Sequence, residues 1–470
     1  METLQHISKS KKIWVMVAVM SAMFLAALDQ NVVSTAMATI VKEFDALEHL
    51  SWVFTAYMLT STISVPIYGR LSDIYGRKGF FLTSIVIFLV GSALCGLSQD
   101  MNQLIFFRAI QGIGGGALMT NAFAIIADLW TPEERGRWQG LMGGVFGLSS
   151  VFGPLLGGWL TDHASWRWAF YINMPLGLLA LVAIVVLMPK IKSTIKDKSI
   201  DYLGAIYLTL GLTSLLLGVT WGGNVYPWNS VEIILLLAFS FVTLSFFASV
   251  ESFVKNPILP LELFKNSTFN VSIALVFLVG MGMFGVISVI PLFAQKVIGV
   301  SATNSGAIMF PMMGGMIGAS IFGGQLLSKF KKYKALAVLG AGITWFAISW
   351  LSTMNGQTTQ AALSFRMIFV GIGMGLSMPV LNIAIQNAFD RSKIGVVTAS
   401  TQLFRSIGGA IGVAVAGSIL NTVLAKNGGD LGAAIPKTFF FASFFMLAAF
   451  LLSFFLKDNT LQPMDKIEGR

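Results

Sequence analysis

Residues 69–78 read Gly69-Arg-Leu-Ser-Asp-Ile-Tyr-Gly-Arg-Lys78, and residues 324–332 return as Gly324-Gln-Leu-Leu-Ser-Lys-Phe-Lys-Lys332, an offset of 255. A second echo has nearly the same spacing. Arg108 precedes Gly112-Ile-Gly-Gly-Gly116, and Arg366, 258 residues later, precedes Gly371-Ile-Gly-Met-Gly375. Two independent echoes at one period indicate a chain built twice from one unit. Each basic stretch follows a long apolar run, so the repeated unit is a set of membrane-crossing helices with basic connections.

Composition points the same way. The 470 residues are 55% apolar and only 11% charged, with mean hydropathy +0.78, whereas soluble domains carry roughly 25% charged residues. A soluble enzyme is excluded. About 20 apolar residues cross the hydrocarbon layer as helix. An apolar window then gives fourteen expected spans, at about 13–38, 51–69, 79–98, 103–127, 139–161, 168–188, 201–221, 231–253, 268–290, 302–327, 334–352, 361–387, 395–423 and 434–456. The first apolar run continues past Asp29 without a small-residue cleavage pattern, which makes it a retained span and not a removed signal.

The net charge of +10 acquires meaning from its placement. On this map 23 Lys and Arg fall on the side of the two termini and five on the opposite side, namely Lys42, Arg167, Lys296, Lys426 and Lys437. The positive-inside rule puts both termini in the cytoplasm, and the basic charge is an orientation device with no nucleic-acid partner implied. The echoes make spans 1–6 one half and spans 9–14 the other, with two inserted between. The expected domains are 1–189, a basic linker with the inserted pair at 190–260, 261–456, and a cytoplasmic tail at 457–470. Two six-helix halves with a site at the membrane midplane form the plan of a secondary transporter.

The residues that carry chemistry are few. His6, His49 and His163 all lie outside the spans, and Cys95 is alone, so neither a metal cluster nor a disulfide is expected. No Gly-Lys dipeptide occurs, which removes the phosphate-binding loop. Among 21 acidic residues only Asp29 lies well inside a span, where a charge is costly and marks function. Arg108 lies at a similar depth, within about 6 Å at 1.5 Å per residue, and is the expected partner. Asp29 is then the proton carrier, released from Arg108 by protonation or by substrate. Gln30, Asn31, Tyr57, Gln111, Asn382, Gln386 and Arg405 are further polar candidates for a cavity, and Arg366 for a brace. The 23 Met and 38 Phe suit a plastic apolar pocket.

These stretches together resemble the major facilitator superfamily, and within it the fourteen-helix drug:proton antiporter branch. The resemblance covers nearly the whole chain. It rests on Gly69, Asp73, Gly76, Arg77 and Lys78 in the first basic stretch, on Arg108, Gln111, Gly112 and Gly114, and on Gly153, Pro154, Gly157 and Gly158 in the fifth span. Leu28-Asp29, Trp166-Arg-Trp-Ala-Phe-Tyr-Ile-Asn-Met-Pro175 and Gln402-Leu-Phe-Arg-Ser-Ile-Gly-Gly409 add to it. The leading glycine of the fifth-span pattern is Ser149 here, and Ser328 replaces the acid in the second basic stretch. The tenth span reads Ile308-Met-Phe-Pro-Met312 without a second carboxylate, which argues against dications.

The resemblance implies an all-α polytopic membrane protein of major facilitator fold, with 14 transmembrane helices as 6 + 2 + 6. It implies a proton-coupled antiporter in a bacterial cytoplasmic membrane that exports lipophilic neutral, zwitterionic or monocationic compounds and confers drug resistance. It further implies a cytoplasmic gate at Gly69–Lys78, an exporter pattern at Gly153–Gly158, a monomer in the bilayer, and no cofactor beyond the proton gradient. The alternative is a dedicated exporter or flippase of one solute or lipid.

Overall fold

The computed structural model describes residues 8–46, 49–189, 199–223, 225–300, 308–390 and 393–457. The basic linker at 190–198, the start of the tenth expected span and the tail after 457 lie outside the described residues. Fifteen α-helices make up nearly all of what is described: α1 (Lys9–Phe44), α2 (Leu50–Tyr75), α3 (Arg77–Leu97), α4 (Met101–Leu129), α5 (Pro132–His163), α6 (Trp168–Tyr171), α7 (Asn173–Leu187), α8 (Tyr202–Trp221), α9 (Val231–Glu251), α10 (Ser267–Phe293), α11 (Met309–Phe330), α12 (Lys334–Leu351), α13 (Gln360–Asn387), α14 (Ile394–Lys426) and α15 (Leu431–Ser453). Lipid offers no backbone hydrogen bonds, so helices, which satisfy their own, are the form these apolar runs take. Polar side chains mark their starts: Ser8, Asp201, Ser230, Asn266 and Thr359 each accept from a backbone N–H in the first turn.

Among the described residues, thirteen helices or helix pairs are long and apolar enough to cross a membrane. The expected second span, α2, is not among those thirteen; it carries Thr55, Thr60, Ser61, Thr62 and Ser64. Three of these hydroxyls bond back to carbonyls one turn earlier, Thr60 to Ala56 O, Ser61 to Met58 O and Ser64 to Ser61 O, which hides their polarity inside the helix.

Two expectations change in detail. The stretch Gly69–Lys78, read as a loop, is helix on both sides of a single corner. No helix breaker occurs until Gly76, whose φ of 103° and ψ of 146° suit glycine alone. Asp73 therefore rides on the last turn of α2 and Arg77 starts α3. The sixth expected span, 168–188, is broken at Ile172 into α6 and α7. Pro175 explains the break, because it lacks the N–H that would bond the Tyr171 carbonyl and its ring crowds that oxygen.

The helices pack into two units. One comprises Met1–Leu129, Val145–Ile200 and Arg391–Ala399. In it α4 runs along both α2 and α3, and α1 and α3 lie against α7. A core of Leu28, Val32, Met101, Leu104, Trp166 and Phe170 sits beneath one end. The other comprises Trp130–Gly144, Asp201–Asp390 and Ser400–Arg470. There α13 runs along α11 and α12, α15 lies against α10 and α12, and α8 pairs with α9. The partnerships of the early helices thus recur among the late ones, as the sequence echo requires. The glycines make the close seams. A side chain at Gly112, Gly115 or Gly116 of α4 would collide with Thr60, Tyr57 or Ser61 of α2, and one at Gly371 or Gly375 of α13 with the backbone of Met312 or Met316 of α11.

Candidate functional site

In the first unit a polar cluster is enclosed by α1, α2, α3, α4 and α7. Asp29 has no exposed surface and Arg108 1%. The Arg108 Nη1 donates to Asp29 Oδ2 at 2.5 Å and to Gln111 Oε1 at 2.8 Å. Gln111 Nε2 donates to Asp29 Oδ1 at 2.8 Å. Asn173 Nδ2 donates to the same Oδ1 at 2.8 Å and to Ser92 Oγ at 2.9 Å, and Ser92 Oγ donates in turn to the Phe170 carbonyl. The Tyr57 ring lies under the guanidinium, 4.3 Å from its centroid to Cζ, a cation–π contact between buried groups. Asp29 therefore accepts three hydrogen bonds, one of them from a full positive charge.

Each helix contributes for a local reason. The glycines of α4 let α2 approach until Tyr57 covers Arg108. Gly91 of α3 lies so close to Gln111 that a Cβ there would meet its backbone. The break at Ile172 starts α7 at Asn173 and so presents its amide to Asp29. Asn173, Ser92 and Cys95, whose Sγ is 3.7 Å from Gln111 Oε1, are absent from the sequence-derived set. Asn173 had a signal in the quoted run ending at Pro175, where it is the polar residue nearest the apolar stretch.

The other expected cavity residues are placed differently. Asn31, two positions from Asp29, turns toward α5, where its Nδ2 donates to Ser149 Oγ at 3.3 Å and to Ala27 O. Gln30 is exposed and bonds the Tyr57 side chain. Asn382 and Gln386 belong to the second unit, where Asn382 Nδ2 meets Gln139 Oε1 at 3.4 Å and Gln386 Oε1 accepts from Arg135 Nη1 at 3.3 Å. Arg405 is half-buried on α14 in that unit. Arg366 donates to the Trp350 carbonyl at 2.9 Å and lies over the Trp350 ring.

A second ionic cluster surrounds the Gly76 corner. Arg77 is fully buried and reaches Asp73 at 2.5 Å, Asp128 Oδ2 at 3.0 Å and Ser72 Oγ at 2.6 Å. Asp73 also accepts from the N–H groups of Gly395 at 3.2 Å and Val396 at 2.9 Å. Those amides open α14, so the carboxylate caps a helix start. Gly69 permits the approach, since a Cβ there would strike Ala399. Lys78 donates to the carbonyls of Val185 and Met188 at the end of α7, where a cation suits the helix dipole. Along α5, side chains at Gly153 and Gly157 would collide with Asn31 and Thr35 of α1, while Gly158 faces open space. Pro154 lies within the helix.

At the far end of α1 from Lys9, Glu43 accepts from Arg167 at 2.8 Å and from Trp166 Nε1 at 2.7 Å, and the guanidinium stacks on that indole. The Arg167 hydrogen bond holds the Glu43 carboxyl below its ordinary range.

A buried acid–base pair framed by glycine-packed helices, in a chain of many apolar spans, is the build of a membrane transporter. The profile of the Major Facilitator Superfamily matches residues 19–413, and the chain belongs to that family of multi-pass membrane transporters, which are not enzymes as a rule. It is 41% identical over 413 residues to the multidrug transporter protein MdtP of Bacillus subtilis, covering 88% of this chain and 76% of the relative. It is 40% identical over 419 residues to multidrug resistance protein 3 of the same organism, covering 89% and 81%. Among solved structures, the human organic anion transporter MFSD10 superposes with a TM-score of 0.70 at 16% identity over 94% of this chain and 99% of that one. The proton:xylose symporter XylE superposes with a TM-score of 0.65 at 14% identity over 98% of both chains. At such identity the structures establish the shared fold alone.

Proposed function

We propose that this transporter is a proton-coupled antiporter that exports lipophilic drugs or other toxic compounds by alternating access. The observation that carries the reading is the wholly buried Asp29, held by Arg108, Gln111 and Asn173. A carboxylate at that depth is retained for function, and with Arg108 as its one cationic neighbour among the described residues it has two stable conditions, ionised and paired or protonated and released. The names of the relatives at about 40% identity, a multidrug transporter and a multidrug resistance protein, support export of drugs. A single carboxylate at depth fits neutral, zwitterionic or monocationic compounds.

In this reading Arg108 and Asp29 couple the proton. Tyr57, Gln111, Gln30, Asn31, Asn382, Gln386 and Arg405 are the further polar candidates for contact with the substrate. Gly69, Asp73, Gly76, Arg77 and Lys78 form the cytoplasmic gate: protonation or withdrawal of Asp73 uncaps α14 and frees its first turn. Gly153, Pro154, Gly157 and Gly158 make the exporter seam between α1 and α5. The topology is fourteen spans as 6 + 2 + 6, with α2 as the fourteenth crossing, α6 and α7 as one, and both termini in the cytoplasm of a bacterium. The protein works as a monomer on the proton gradient alone.

The test is reconstitution of the protein and of Asp29→Asn in proteoliposomes. A pH gradient is imposed while internal pH and movement of ethidium are followed. Ethidium-dependent proton flux that disappears in the variant is the expected result. Equal flux in the variant overturns the role of Asp29, and accumulation of labelled lipid without ethidium flux overturns drug export in favour of lipid movement.

A further inference from the structure

Asp29 takes three hydrogen bonds when ionised, and an ionised carboxylate offers acceptors only. A proton arriving there reverses one of those bonds, because the new O–H needs an acceptor in a place without exposed surface. The groups facing Asp29 are few. Arg108 comes from α4, Tyr57 from α2 and Cys95 from α3 as its charged or titratable neighbours. Gln111 and Asn173 are its neutral donors, from α4 and α7.

The two amides differ. Gln111 Oε1 already accepts from Arg108 Nη1 at 2.8 Å and from Cys95 Sγ at 3.7 Å, so turning that amide over would break both bonds. Asn173 Oδ1 is buried and has no hydrogen-bond partner among the described residues. Which end of the Asn173 amide faces Asp29 is fixed by chemistry, since an ionised carboxylate must meet the NH2. A half-turn about the terminal side-chain torsion, which is broad and two-fold, exchanges the two ends without moving the backbone.

We propose that Asn173 is a positioning residue for the coupling proton: its amide donates to ionised Asp29 and turns over on protonation, so that its Oδ1 accepts the new Asp29 O–H. The proposal rests on the reading of Asp29 as proton carrier. In the step an O–H bond forms at Asp29 Oδ1, the hydrogen bond from Asn173 Nδ2 gives way to one onto Asn173 Oδ1, and no covalent bond of Asn173 changes. Ser92 follows. Its Oγ now accepts from Asn173 and donates to the Phe170 carbonyl, and after the turn its hydroxyl rotates to Asn173 Oδ1. The bond that this withdraws from Phe170 lies on α6, next to the break at Ile172. The protonation state of Asp29 is thereby passed to the hinge of the sixth span.

The experiment is infrared difference spectroscopy of the full chain in lipid vesicles across pH, with isotope-labelled asparagine and with Asp29→Asn to assign the carboxyl band. The expected result is a side-chain amide band that changes with the same midpoint as the Asp29 band. Replacing Asn173 by Leu, close in volume, gives a test by size. It removes one donor from the ionised form and the acceptor from the protonated form, so the two losses oppose each other and the midpoint moves less than the alkaline shift of about one pH unit that loss of a donor alone brings. The full alkaline shift means a static donor and overturns the proposal. So does an Asp29 band that titrates with no asparagine band beside it in the unaltered protein, a result that needs no variant to fold. Absence of any Asp29 band overturns the proton-carrier reading instead.

Discussion

Arg108 and Arg366 occupy the same place in the repeat, each a few residues before a glycine run, and their surroundings have diverged. Arg108 is 1% exposed and closes on Asp29 at 2.5 Å. Arg366 is half-buried and spends its donors on the Trp350 carbonyl and Thr353 Oγ1. The backbone around them is alike: α4 packs on α2 and α3 as α13 packs on α11 and α12. The difference lies in the helix that faces each arginine's half. α1 brings Asp29, whereas α10, its counterpart, contains no acidic residue. A buried arginine without an acid is costly, so the second one sits where carbonyls and an aromatic face are available. Duplication conserved the packing, and one carboxylate decides which half carries charge at depth.

The largest expected contrast is functional. Asp29→Asn should reduce ethidium-dependent proton flux to that of protein-free vesicles, while Arg366→Gln should leave its pH dependence in place. Unfolding in detergent by denaturant gives the next. Arg108→Ala strands a buried carboxylate and should cost about 3–5 kcal/mol, against about 1 kcal/mol or less for Arg366→Ala, which loses partly solvated bonds. Equal losses would mean that the ion pair is no more structural than the brace. The glycines should behave as equals where the arginines do not. Gly112→Ala and Gly371→Ala each force a methyl into a facing helix and should cost about 1–3 kcal/mol. Gly158→Ala, which meets open space, should be neutral or stabilise by up to about 1 kcal/mol.

The smallest effect is expected at the solvated ion pair. Glu43 and Arg167 are 43% and 32% exposed, so Glu43→Gln should cost no more than about 1 kcal/mol. The Glu43 carboxyl is held below its ordinary range. Its contribution is therefore present above the unfolded value of about 4.3 and disappears as pH falls through the lower folded value. Comparing the stability of the variant and the unaltered protein between neutral and acidic pH checks this: the gap should close on acidification.

Hydropathy made the helices legible and the echo a likeness between early and late ones, because in a membrane a long apolar run has few other fates. Asp29 and Arg108 were legible together, since charges inside spans are scarce and two at one depth seek each other. Asn173 was hidden, because an amide at the head of an apolar run carries no charge to mark it, and its approach to Asp29 depends on a break caused by Pro175. Asn31 follows from helix geometry: two residues along a helix turn a side chain about 200° from that of Asp29, here toward Ser149. Asp128 lies just past the expected fourth span, and only the fold brings it to Arg77.

The lone thiol acquires a use from its position. Cys95 is the single cysteine of the chain, has no exposed surface and lies against Gln111 between α3 and α4. A maleimide can alkylate it only when those two helices part. The rate of labelling of the unaltered protein is therefore a clock on breathing of the site itself, slow in the packed state described here and fast in denaturant, and it needs no engineered reporter to be read.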